Sequence, residues 1–192
     1  MVTDFNQLDL SKKYTYADYL TWWFEERVEL IRGKILKMSP APSDNHQKIH
    51  ARFVAEIAPF LKRKPCQIRY APFDVKLKRS YDDKEVFTIV QPDICIVCKP
   101  EILEPRGCNG APDMIIEILS ESNRKHDLVT KFQLYEESGV NEYWIVYPMD
   151  SIDEVYLLEA GKYKLDKKYI EDELVPVRTI DGLNIDLKDI FY

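Results

Sequence analysis

Residues 110–123, GAPDMIIEILSESN, decide the fold class of this chain. The turn Gly110-Ala111-Pro112 leads into DMIIEIL at 113–119, a short apolar run rich in β-branched residues, which reads as a strand. Ser122 or Asn123 then opens a helix that runs to about Ser138. Gly139 stands where a helix is commonly closed, and EYWIVY at 142–147 enters the sheet as another strand. Strands, a helix and a returning strand predict an α/β chain whose central mixed sheet is flanked by helices.

Upstream, TYADYLTWW at 15–23 starts with a capping Thr15 and predicts a short helix. VELIRGKILKM at 28–38 predicts an N-terminal hairpin about Arg32-Gly33, and SPAPSDN stops it. Asp44 or Asn45 caps a helix over roughly 46–62, with Ile49, Phe53 and Ile57 on one stripe, and Pro65 closes it. IRYAPFDVKL and VFTIVQPDICIVC read as two strand-like runs. Downstream, VYLLEAGKYKL predicts a C-terminal hairpin around Ala160-Gly161, and DGLNIDLKDIF a last strand with a short docking turn. No repeat or linker divides the 192 residues, so a single domain over 1–192 is expected.

A chain that is 45% hydrophobic, 31% charged and 12% aromatic can build a packed core. It has no apolar run of membrane-spanning length, and MVTDFNQLDLSKKY lacks the features of a signal peptide, so no membrane role and a cytoplasmic location are expected. Cys66, Cys95, Cys98 and Cys108 are too few and too irregularly spaced for a disulfide framework, and they read as reduced structural thiols. A strand through ICIVC points Cys95 and Cys98 to opposite faces, and no second pair completes a zinc site. The net charge of −6, from 27 basic and 33 acidic residues, argues against a protein that coats nucleic acid. A nuclease remains compatible with that charge, because a divalent cation offsets carboxylates where phosphate approaches.

Two carboxylates interrupt apolar runs: Asp93 follows Pro92, and Glu117 is flanked by isoleucines. An unpaired buried charge costs several kcal/mol, and a shared cation with a preference for oxygen ligands would remove that cost. Each acid alone reads equally well as a strand-end acceptor of backbone or arginine hydrogen bonds. Lys131 lies on the apolar stripe of Leu128, Leu134 and Tyr135, which points it toward the sheet. On its own it also reads as a snorkelling lysine paired with Asp127. His46 and His50 share a helix face, but Gln47 breaks any H-E-x-x-H pattern. His46 reads as solvent-facing or phosphate-contacting, and His50 as structural. Phosphate-binding glycine loops and a G-x-S-x-G elbow are absent.

QPDICIV, GAPDMIIEILSESN, Asp127-x-x-x-Lys131, LYEESGVNEYWIV and DGLNIDLKDIF, in that order, resemble the Uma-two family of restriction-endonuclease-like bacterial proteins. That family belongs to the PD-(D/E)XK nuclease superfamily, and the resemblance runs from about residue 28 to the C-terminus. It implies a restriction-endonuclease-like fold and a Mg²⁺-dependent endonuclease acting on DNA, with Mn²⁺ able to substitute. It assigns the metal to Asp93 and Glu117 and catalysis to Asp93, Glu117 and Lys131, and it draws in Glu29 of VELIRGKI. The superfamily's lysine usually stands two residues after the second acid, where this chain has Leu119; Lys131 takes its place from the following helix. Tyr147 stands where the family pattern has an aspartate. Cutting two strands would favour a homodimer. A second expectation is a nuclease fold without catalysis, used for binding or assembly.

Overall fold

The computed structural model describes residues 1–38, 42–78, 80–120 and 126–192, with only the backbone described at 126 and 127. In chain order come α1 (Tyr16–Tyr19), β1 (Val28–Ile31), β2 (Lys34–Lys37) and α2 (Asp44–Leu61). β3 (Gln67–Tyr70), β4 (Asp74–Lys76), β5 (Ile89–Val90), β6 (Ile94–Val97), β7 (Leu103–Glu104), β8 (Gly107–Asn109) and β9 (Met114–Ile118) follow. α3 (His126–Ser138), β10 (Glu142–Tyr147), β11 (Ile152–Glu159), β12 (Lys162–Ile170), β13 (Leu174–Pro176), β14 (Asn184–Asp186) and α4 (Leu187–Phe191) complete it.

The strands form two six-stranded sheets, β2-β1-β5-β4-β8-β7 and β12-β11-β10-β9-β6-β3, with β13 and β14 as a separate ribbon. The second is the expected mixed sheet: β9 and β10 run parallel across the α3 connection, and its other neighbours are antiparallel. The strand period of two sorts its side chains between two cores. Ile94, Ile96, Met114, Ile116 and Trp144 pack with Ile49, Phe53, Ile57 and Leu61 of α2. Cys95, Val97, Ile115, Tyr143 and Ile145 on the opposite face pack with Leu134 and Tyr135 of α3 and with Val75 and Val90 of the first sheet. α3 therefore lies where it can meet both sheets.

Both predicted hairpins form, and Arg32-Gly33 and Ala160-Gly161 hold the positive φ that such tight turns demand. α2 is capped by Ser43 rather than by Asp44 or Asn45, because the Ser43 hydroxyl accepts the His46 amide. α1 is shorter than 15–23: its capping box of Thr15 and Asp18 starts it, but Trp23 leaves the helix to bond Val2 and is exposed. The predicted helix start at Ser122 or Asn123 lies outside the described residues.

Each of the two upstream runs divides into two strands in different sheets. Ala71-Pro72-Phe73 carries the chain from β3 to β4, and Gln91-Pro92-Asp93 carries it from β5 to β6. Proline has no N–H for a ladder, so it breaks a run that hydropathy alone joins.

The cysteine expectation is corrected: Cys66 and Cys98 form a disulfide, while Cys95 and Cys108 are free and buried. β3 and β6 pair with Gln67 opposite Val97, so the next step of the register sets Cys66 opposite Cys98. That proximity arises from strand pairing across 32 residues and leaves no trace in spacing. Cys95 and Cys98 do face opposite cores, as the strand period requires.

Candidate active site

Asp93 and Glu117 meet across the second sheet. β6 and β9 pair with Ile94 opposite Ile116, and one step further brings Asp93 opposite Glu117. Both fall on the face that carries Cys95 and Ile115, toward α3. Asp93 is therefore a residue at the mouth of a strand rather than within one. Its Oδ2 accepts the Ile118 amide at 2.8 Å and faces His46 Nε2 at 3.3 Å. Its carbonyl accepts the Ala71 amide at 3.2 Å and lies 3.2 Å from His50 Nε2.

Lys131 crosses from α3 to this acid pair. Leu134 and Tyr135 are buried and Leu128 is packed against the same core, so the stripe that carries Lys131 faces inward while Glu137 is exposed. The Lys131 ammonium is 3.0 Å from Glu117 Oε1 and 3.1 Å from Glu29 Oε1. Glu29 comes from β1, in the other sheet, and is 2 % exposed. All four residues named from the sequence thus converge. The pairing with Asp127 expected of a snorkelling lysine falls on a side chain outside the described residues.

Sequence reasoning missed two neighbours. His46 is buried against Asp93, which overturns the solvent-facing reading; the Ser43 cap fixes its turn of α2 at the strand mouth. Tyr135 donates from its hydroxyl to Glu117 Oε1 at 2.6 Å. Its apolar spacing made it look like core alone, although a buried tyrosine hydroxyl usually finds a partner. His50, read as structural, packs edge-on to Tyr70 and contacts only the backbone of Asp93.

The electrostatics follow from two carboxylates in contact with one ammonium, with Asp93 and its His46 partner beside them. Burial, helped by Asp93 and Glu29 and opposed by Lys131, raises the Glu117 carboxyl to about 7. Burial alone would lower Lys131, but Glu117, Glu29 and Asp93 more than offset it and hold the ammonium charged. Burial would raise Asp93, yet His46, the Ile118 amide and Lys131 leave its carboxyl below the usual value. His46 is raised: burial opposes its charge, and Asp93 and Glu117 outweigh burial.

The model of the Uma2 family, described as "Putative restriction endonuclease", matches residues 16–188. No curated protein matches the chain. Among solved structures, the crystal structure of a putative nuclease of DUF820 from Anabaena variabilis matches with a TM-score of 0.68 and 24% identity. The match covers 93% of this chain and 97% of that one, so the two share a nuclease fold over nearly their whole length. The family match takes in Glu29, Asp93, Glu117 and Lys131 alike, and the chain belongs to the Uma2 family.

Proposed function

We propose that the protein is a Mg²⁺-dependent endonuclease that hydrolyses DNA phosphodiester bonds at this cluster. The observation that carries the proposal is the buried Lys131 ammonium, 3.0 Å from Glu117, which in turn stands opposite Asp93. A lysine so placed supports a role in stabilising charge that grows on a phosphate.

The donor set suits a hard divalent cation. Carboxylate oxygens are its preferred ligands, and the pairing of β6 with β9 sets two of them, from Asp93 and Glu117, opposite each other. Among the described residues, the side-chain hydrogen bonds to this pair fall on Asp93 Oδ2 and Glu117 Oε1. Asp93 and Glu117 would hold the ion, and Mn²⁺ would substitute for Mg²⁺. Bound there, the metal supplies Lewis acidity and a water of lowered pKa. Lys131 supplies a fixed positive charge, the Ile118 amide and His46 orient Asp93, and Tyr135 orients Glu117. The lysine-rich strand β12 offers no bare basic track for DNA, since Lys162, Lys164, Lys167 and Lys168 pair with Glu136, Glu159, Glu173 and Glu154. A metal held by Asp93 and Glu117 would add positive charge beside Lys131 where phosphate approaches.

One observation favours the second reading, a binding or assembly module without catalysis. Lys131 already bridges two carboxylates, and no group of three or more His, Cys, Asp or Glu among the described residues is arranged to hold an ion. Calorimetric titration with Mn²⁺ and Mg²⁺ separates the two. The nuclease reading expects binding that disappears in Asp93→Ala; a folded wild type that binds neither ion supports the module.

A further inference from the structure

We infer that Gln91 and Asp74 are positioning residues that hold Glu29, and through it Lys131, in place from the far side of the first sheet. The kinetic part of this inference rests on the nuclease reading; the structural part does not.

The chain crosses between the sheets at 71–73 and again at 91–93, and the two crossings meet. The Ala71 amide of one donates to the Asp93 carbonyl of the other at 3.2 Å. Gln91 opens the second crossing, and its amide donates to Glu29 Oε1 at 2.8 Å, the same oxygen that contacts Lys131. Two residues further on stands Asp93. The orientation of one short segment therefore bears on Glu29, Lys131 and Asp93 together.

The Gln91 side chain is held at every polar atom. Its Nε2 donates to Asp74 Oδ1 at 2.9 Å and to the Tyr19 hydroxyl at 3.3 Å, and its Oε1 accepts Arg27 at 2.9 Å. Asp74 in turn accepts the Tyr16 hydroxyl at 3.0 Å and the Tyr19 hydroxyl at 3.4 Å. Gln91 and Asp74 are each 8 % exposed, so these bonds face little competition from water. The Asp74 backbone is closely packed. Gly107 of β8 lies against it so closely that a Cβ there would meet the Asp74 carbonyl at 1.7 Å. Among the described residues its side-chain donors are the neutral Tyr16, Tyr19 and Gln91, and a buried carboxylate so held is costly to keep. Here it fixes the carboxamide whose backbone amide orients Glu29. α1, remote from the acids in sequence, reaches the site through Tyr16 and Tyr19.

The test compares wild type with Gln91→Leu and Asp74→Asn, the second retaining an acceptor. Metal-free protein is labelled with acetic anhydride, and acetylation of each lysine is followed by mass spectrometry. Lys76 is the internal control: it is as buried as Lys131 and is held by Asp83 and Glu104, and because its ammonium lies 5.0 Å from the Tyr16 ring it reports loosening around Asp74 that does not pass through Glu29. The expected result is roughly tenfold faster labelling of Lys131 in Gln91→Leu, with Lys76 unchanged and a smaller effect in Asp74→Asn. On cleaved substrate, kcat falls by a similar factor and KM holds. Equal acceleration of Lys76 and Lys131 would show general loosening and overturn the inference, as would wild-type labelling in a folded variant. Should Gln91→Leu fail to fold, Asp74→Asn decides by the same two lysines. If the wild type cuts no substrate, the nuclease reading fails while the labelling result still stands.

Discussion

The Lys131 ammonium reaches across from α3 to within 3.0 Å of the Glu117 carboxylate in β9, and both residues are 8 % exposed. The same ammonium touches Glu29 of β1, so one side chain joins a strand of each sheet. A group that could serve chemistry is therefore also part of what holds the two layers together.

Lys131→Ala should both inactivate and destabilise. Removing one member of a buried ion pair leaves the others uncompensated and typically costs about 3–5 kcal/mol. Loss of a positioned charge costs about a hundred- to thousandfold in rate. Urea melts beside single-turnover cleavage check both. A variant as stable as wild type would mean the buried acids do not depend on this lysine.

His46→Ala should weaken Mn²⁺ binding by roughly 10- to 100-fold, the usual loss when a group that orients a ligand is removed. The Ile118 amide still holds Asp93, so binding is reduced rather than abolished. Calorimetry on the folded variant checks this, and unchanged affinity would leave His46 a packing residue.

Much of this was legible in the sequence, and for a physical reason. Charged residues inside DMIIEIL and after QP stand out because their neighbours are apolar, and helical spacing puts Lys131 on the apolar stripe, where it reads either as turned toward the sheet or as snorkelling. The β9-α3-β10 unit could be read because each element has one clear period. What escaped depends on pairing between distant strands. Nothing local sets Cys66 beside Cys98, or tells that Pro72 and Pro92 send their strands into separate sheets. The short strands β7, β8 and β13 were missed because two or three residues have no period to detect. His46 was misplaced because its burial comes from the approach of Asp93, 47 residues away.

The metal-free protein should lose stability as pH rises through neutrality because of Glu117. Burial, with Asp93 and Glu29, lifts its carboxyl from 4.5 to about 7 against the pull of Lys131. Between those values the folded chain retains a proton that the unfolded chain has released. The contribution is thus fully present below the unfolded value and gone above about pH 7. Measured by denaturant melts at pH 5 and pH 8, the stability of wild type relative to Glu117→Gln should fall on going to pH 8. A difference independent of pH would contradict the burial argument.

Reduction of the Cys66–Cys98 bond should destabilise the chain. The bond closes a separation of 32 residues, for which loop-closure entropy gives roughly 3–4 kcal/mol. Melts with and without dithiothreitol, repeated on Cys66→Ser, check it. In the native oxidised protein Cys95 and Cys108 should resist thiol reagents because both are buried. A reductant-insensitive melt would mean the bond adds nothing to stability.

The most direct measurement is the nicking of supercoiled plasmid DNA by purified protein with Mg²⁺, with EDTA, and with Asp93→Ala in place of wild type. Metal-dependent nicking that disappears with EDTA and in folded Asp93→Ala is the predicted result. Nicking that persists unchanged in Asp93→Ala, or none by a wild type supplied with Mg²⁺ or Mn²⁺, would contradict it.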